Sequence, residues 1–205
     1  MYKIPSGEVT NLPLLEKISK IGKPVLLSSG MSNWDELDQA VNLLKKKCDL
    51  TIMQCSSMYP CSPKKVGLNI LTEMKSRYGC KIGFSDHTLG FSASIAAVTL
   101  GAEVIEKHIT FSKEMYGSDA LHSMNPKEFS LFCKEIKDLT TTLSNPIDKN
   151  DISNYLEMKK TFEKSIVSAC DLSKGSIIEL NHLAFKKPGD GISAKDYKRV
   201  IGLIL

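Results

Sequence analysis

The chemistry-bearing residues of this chain gather between Lys81 and Thr110, in KIGFSDHTLGFSASIAAVTLGAEVIEKHIT. Ser85, Asp86 and His87 close one apolar run, and His108 closes the next. Neighbouring strands of a parallel barrel lie about 4.8 Å apart. Histidines one βα unit apart would therefore meet at the C-terminal ends of their strands, where barrel enzymes do chemistry. Two neutral imidazoles beside a carboxylate suit a divalent transition metal. The competing reading is that each histidine is a satisfied polar residue at a strand end.

The elements that must hold them follow from patterning. Lys81–Phe84 and Glu103–Ile109 read as strands around an Ala-rich helix at Ser92–Leu100, a βαβ unit of about thirty residues. Glu106, His108 and Thr110 share one face of the second strand by alternation, and Ile105, Lys107 and Ile109 share the other. The polar face is assigned to the barrel interior and mouth.

Upstream, Met1–Ile4 is extended and leads into Ser6 and Glu8. A helix spans Asn11–Ile21, with Asn11 as cap and Gly22 as stop. PVLLSS at Pro24–Ser29 is a buried strand, and Ser32 is expected to cap a helix from Asn33 to about Lys47 with Glu36 in a capping box. Leu50–Ser56 is a strand running into Ser57 and Tyr59, and a helix follows at Leu68–Tyr78. After a loop carrying Asp119, Pro126 opens a helix to about Thr142. Strand and helix alternate about five times, which argues for a parallel α/β sheet with helices outside, too few units for a barrel of eight. There is no GxGxxG after the first strand and no Walker loop.

Residues 1–144 are read as this partial barrel, the polar stretch 145–164 as a linker, and 165–205 as a small β-rich domain of short strands and Gly-marked turns. It ends on the uncapped apolar run VIGLIL, and the chain opens on the tail of a strand, so both ends read as cut. Net charge is +4, with basic residues scattered except for Lys45–Lys47 at a helix end. That pattern disfavours a nucleic-acid partner and leaves a mild pull on anionic small molecules. The six cysteines lack a CxxC pair or zinc spacing and read as reduced thiols of a cytoplasmic protein. No secretory leader and no membrane span are expected.

Taken together, KIPSGE (Lys3–Glu8), KPVLLSSGMS (Lys23–Ser32), QCSSMYP (Gln54–Pro60), FSDHTLG (Phe84–Gly90), IEKHIT (Ile105–Thr110), DLSKG (Asp171–Gly175) and KPGDGI (Lys187–Ile192) resemble, in order and spacing, the N-acetylneuraminate (sialic acid) synthase family. The resemblance covers essentially the whole chain. It implies part of a TIM barrel from its fourth strand onward, then a truncated antifreeze-like (SAF) domain. It also implies condensation of phosphoenolpyruvate with an open-chain N-acetylated aminosugar such as N-acetylmannosamine, with release of phosphate. A divalent ion, manganese in this family, would be held by His87 and His108. Lys3, Ser6, Ser57 and Ser85 fall on phosphoenolpyruvate contacts, Glu8 on an acid near the reacting carbons, and Tyr59 and Asp119 on sugar contacts. Lys187 stands where the family has an arginine that reaches into the partner subunit's barrel in a homodimer; a lysine keeps the charge and loses the planar fork. Two alternatives remain: an inactive remnant of such a synthase, or another metal-dependent barrel condensing phosphoenolpyruvate with a different aldose.

Overall fold

Short apolar runs separated by capped amphipathic helices dictate how this chain folds, and the computed structural model, which describes residues 1–205, follows them. The chain divides into two units, Met1–Asn145 and Pro146–Leu205. In the first unit, β1 (Tyr2–Ile4), β2 (Val25–Ser28), β3 (Leu50–Cys55), β4 (Lys81–Asp86) and β5 (Val104–Lys107) pair in parallel and in sequence order. Helices α1 (Leu12–Ile21), α2 (Trp34–Leu44), α3 (Asn69–Tyr78), α4 (Ser92–Thr99) and α5 (Pro126–Leu143) connect and follow them.

The register sorts the side chains into two faces. Ile4, Leu27, Ile52 and Ile82 are successive partners across four strands, each at most 1% exposed. This row packs with Leu15 of α1, Leu37, Val41 and Leu44 of α2, and Leu71 and Met74 of α3. Each such aliphatic side chain contributes roughly 1.5–3 kcal/mol on full burial. On the opposite face, Cys55, Ser85 and Glu106 are successive partners of β3, β4 and β5. The sheet is strongly curled: Lys3 on β1 and Glu106 on β5 are the first and last strands of the order, yet their side chains meet at 2.9 Å. The architecture is a five-stranded parallel half-barrel, part of a TIM barrel, with polar groups on its concave face.

Local chemistry explains the helix ends. The Asn11 side chain accepts from Leu14 N, and Gly22 closes α1 in the left-handed conformation at φ 70°. For α2 the cap is Asn33, not the expected Ser32. Asn33 Oδ1 accepts from Glu36 N and the Glu36 carboxylate accepts from Asn33 N. A capping box needs its acid three residues after the cap, and Asn33 meets that count.

The second unit carries an antiparallel pair, β6 (Ser165–Ser168) with β7 (Leu183–Lys186), and the short helices α6 (Leu156–Phe162) and α7 (Tyr197–Val200). The stretch 145–164, expected as a linker, thus includes a helix. Its C-terminal end is fixed by backbone bonds from Gly189 N to Lys160 O and Ala194 N to Lys164 O, at 2.8 and 2.9 Å. No helix is long and apolar enough to cross a membrane.

Candidate active site

The concave face of the half-barrel gathers residues from every strand. Ser85 and Glu106 lie side by side in the β4–β5 register, and Ser85 Oγ donates to Glu106 Oε1 at 2.9 Å. The Lys3 ammonium donates to the same oxygen at 2.9 Å, leaving Glu106 Oε2 as the free acceptor. Glu106 is the residue that sequence reasoning placed on the right face without giving it a role. Alternation marked its side of the strand, but its partner lies 103 residues away.

Ser6 and Ser57 converge on Gly30. Gly30 N donates to Ser6 Oγ at 2.9 Å. A Cβ at Gly30 would lie 2.5 Å from Ser57 Oγ, 2.9 Å from Ser6 Oγ and 3.1 Å from Cys55 Sγ. Only glycine lets these three groups close around the β2 end. Burial pushes the Cys55 thiol up, while hydrogen bonds from Ser85 and Ser6 pull the other way. Cys55 therefore sits between the two serine groups as a protonated thiol, not a nucleophile.

His87 and His108 meet as expected, with ring centroids 5.3 Å apart in an edge-on arrangement. His87 Nδ1 lies 2.8 Å from Ser56 O. A carbonyl only accepts, so Nδ1 carries a proton, and in the neutral ring the lone pair falls on Nε2, 3.5 Å from Ser85 Oγ. His108 Nδ1 is 3.5 Å from Asp119 Oδ2. Burial, followed by the charge of His87, lowers the His108 pKa and favours its neutral form. Each ring thus has a second hydrogen-bonding or charged neighbour of the kind that orients ligating imidazoles. No cluster of three or more His, Cys, Asp or Glu side chains forms a ready-made metal cage. The donor set fits a divalent ion held by two imidazoles with its other positions left to water and substrate.

Tyr59 covers the pair, its ring 4.1 Å from His87 and 5.5 Å from His108. Burial raises the pKa of its phenol, with further push from the nearby Cys55, Asp119 and Glu106. The phenol stays protonated and can donate.

Asp86, Glu8 and Lys187 each have partners of their own. Asp86 is not the carboxylate beside the histidines. Strand alternation turns it with Phe84 toward the helices, where Lys107 Nζ lies 3.0 Å from Oδ2 and Ser94 Oγ donates to the same oxygen at 2.6 Å. Glu8 is held by Asn11, whose side-chain amide donates to Glu8 Oε2 at 2.7 Å, tying one carboxylate oxygen to the α1 cap. Lys187 belongs to the second unit, where its ammonium lies 4.8 Å from the Phe162 ring centre. The structure therefore brings together Lys3, Ser6, Ser57, Tyr59, Ser85, His87, His108 and Asp119.

The chain is similar to several known proteins. The chain is 38% identical over 208 residues to an N,N'-diacetyllegionaminic acid synthase of Campylobacter jejuni, covering 100% of this chain and 62% of that protein. It is 33% identical over 187 residues to the human N-acetylneuraminate-9-phosphate synthase, covering 90% of this chain and 52% of that protein. The chain thus spans little more than half the length of these curated relatives. The crystal structure of an N-acetylneuraminic acid synthetase from Leptospira borgpetersenii superposes with a TM-score of 0.69 at 33% identity, over 77% of this chain and 55% of that one. The match to the NeuB family runs over residues 1–148, which takes in all five parallel strands and every barrel residue from Lys3 to Asp119, and the chain therefore belongs to the NeuB family.

Proposed function

We propose that this chain forms part of a synthase that joins phosphoenolpyruvate to an N-acetylated aminosugar, giving a nonulosonic acid and inorganic phosphate. The observation that carries the reading is the concave face itself. A lysine, three serine hydroxyls and a carboxylate lie beside two edge-on histidines under one tyrosine. The relatives, synthases of sialic-acid-like sugars, support the same class.

In this reading Lys3, Ser6, Ser57 and Ser85 bind the phosphate and carboxylate oxygens of phosphoenolpyruvate by charge-assisted hydrogen bonds. Lys3 would leave Glu106 for the arriving anion, and the carboxylate would be free to take a proton from the water that adds. The enol carbon bonds to the aldehyde carbon, water adds to the resulting oxocarbenium carbon, and the C–O bond to phosphate breaks. Tyr59 and Asp119 orient the sugar, the ring as a wall and the carboxylate as an acceptor for a hydroxyl. Glu8 orients the reacting groups through its uncommitted oxygen. A divalent ion, manganese in the first instance, bound by His87 and His108 supplies Lewis acidity toward the aldehyde oxygen. The second unit would act as an antifreeze-like domain, with Lys187 reaching the N-acetyl end of the sugar across a homodimer.

The test is phosphate release by the protein carrying this chain, with manganese, phosphoenolpyruvate and a panel of acceptors. The panel holds N-acetylmannosamine and the legionaminic and pseudaminic precursors. Release should require metal and one acceptor, and His87→Ala should reduce it by at least 100-fold. Acceptor-independent release, or none with any acceptor, would sink the reading.

A further inference from the structure

Lys107 and Asp86 immediately precede the two histidines, and they are direct partners in the β4–β5 register. Alternation turns both away from the concave face, so neither touches the site. Their side chains are 2% and 0% exposed, with Nζ 3.0 Å from Oδ2. The same ammonium donates to Thr88 O and Gly90 O, both at 2.6 Å. Asp86 Oδ1 accepts from Thr88 N at 2.8 Å, and Oδ2 accepts from Ser94 Oγ at 2.6 Å. Every donor of the ammonium is thus engaged, and the backbone is pinned on both sides of His87. His87's own carbonyl accepts from Cys61 N at 2.8 Å.

A pair this buried is weak as a source of net stability, because desolvation offsets the attraction and apolar side chains of similar size do as well. Its geometry does something an apolar pair would not. It fixes the path of residues 86–90 relative to the end of β5, and so fixes where the His87 ring lies against the His108 ring.

We propose that the buried Lys107–Asp86 pair is the positioning device for the histidine pair, holding His87 with Nδ1–H on Ser56 O and Nε2 turned into the site. As far as it concerns metal binding, the inference rests on the function proposed above.

The experiment reads the histidine rings in metal-free protein by two-bond 1H–15N correlation, in wild type, Lys107→Met, Lys107→Arg and Ser94→Ala. Wild type should show His87 as a single Nδ1–H tautomer. Lys107→Met should show tautomers in exchange. Lys107→Arg, which keeps the charge and the donors, should restore most of the wild-type pattern. Ser94→Ala, a milder change that removes one bond to Asp86, should fall between and covers the case in which Lys107→Met fails to fold. Asp38→Asn, on the outer helices, should lower stability and leave the ring spectrum unchanged. Manganese titration of the same proteins should give about 10- to 100-fold weaker binding in Lys107→Met, the range for lost partners of ligating histidines. An unchanged His87 spectrum in Ser94→Ala, and in Lys107→Met where that variant folds, would overturn the proposal. Wild type that binds no manganese while the variant spectra change would sink the metal reading and leave the positioning role standing.

Discussion

Two aspartates each gather several donors in this molecule, and they do so in opposite surroundings. Asp38 on α2 receives Arg77 Nε and Nη2 at 2.9 and 2.6 Å and the Tyr78 hydroxyl at 2.8 Å, clamping α2 to α3. The Arg77 guanidinium also lies over the Trp34 ring, 5.0 Å from its centre. The side chains of this pair are 40% and 32% exposed. Asp86 receives an ammonium, a hydroxyl and a backbone N–H with almost no water in reach. Exposed charges exchange one favourable solvation for another and are screened. Buried ones have lost their water, so losing a partner strands the other. The outer clamp can therefore yield gradually, whereas the inner pair holds one arrangement or fails. That difference matches what each is next to: a helix surface in one case, the two histidines in the other.

The sharpest way to break the comparison is Lys107→Met, which leaves Asp86 buried and unpaired. It should cost about 3–5 kcal/mol, read as a shift of the urea midpoint at constant slope. A loss no larger than that of Asp38→Asn would mean the inner pair is not special. The double variant Asp86→Leu/Lys107→Met should recover most of that stability while the two histidine rings stay misaligned by NMR. Recovery of both together would show that packing alone sets the rings. Ser28 supplies a third case, a buried hydroxyl with no hydrogen-bond partner. Ser28→Ala should raise stability by up to about 1 kcal/mol, and a loss would show that the hydroxyl is satisfied in solution. The smallest effect belongs to the clamp. Arg77, then Tyr78, hold the Asp38 carboxyl down at about 2 against an ordinary 3.8. A depressed folded-state pKa stabilises above the unfolded value and loses that stability as pH falls through the folded one. Thermal stability should thus drop more steeply between pH 3.8 and about 2 in wild type than in Asp38→Asn. Parallel curves would mean the clamp is not formed in solution.

What the sequence disclosed was what depends on local chemistry. The caps at Asn11 and Gly22, the five apolar runs and the proximity of His87 to His108 all follow from patterns within about thirty residues. The inward face of β5 was also legible, since Glu106 and His108 alternate with Ile105 and Lys107. The orientation of Asp86 was equally available, because it shares a face with the core residue Phe84. The meeting of Lys3 with Glu106 was beyond reach, because it depends on how far the sheet curls. Ser6, Ser57 and Cys55 closing on Gly30 was hidden for the same reason: a glycine that ends a strand looks alike whether or not hydroxyls crowd it. The helix α6 was missed because its end is fixed by backbone bonds from residues about thirty positions later.

The Lys3–Glu106 bridge also sets an order of events during folding. Neighbouring strands find one another across short stretches of chain, but this contact closes one of 103 residues. Loop closure costs only about 0.6 kcal/mol more per doubling of length, so the delay comes less from that entropy than from prerequisite steps. Lys3 cannot meet Glu106 until β2, β3 and β4 have paired and curled between them. Approach of β1 to β5, read by energy transfer between labels on the two strands after dilution from denaturant, should accordingly lag the return of far-ultraviolet circular dichroism. Simultaneous recovery would place the closure with strand pairing. A chain emerging from synthesis would then pass through a stage with its strands paired and its concave face still open, the polar side chains of that face not yet held against one another.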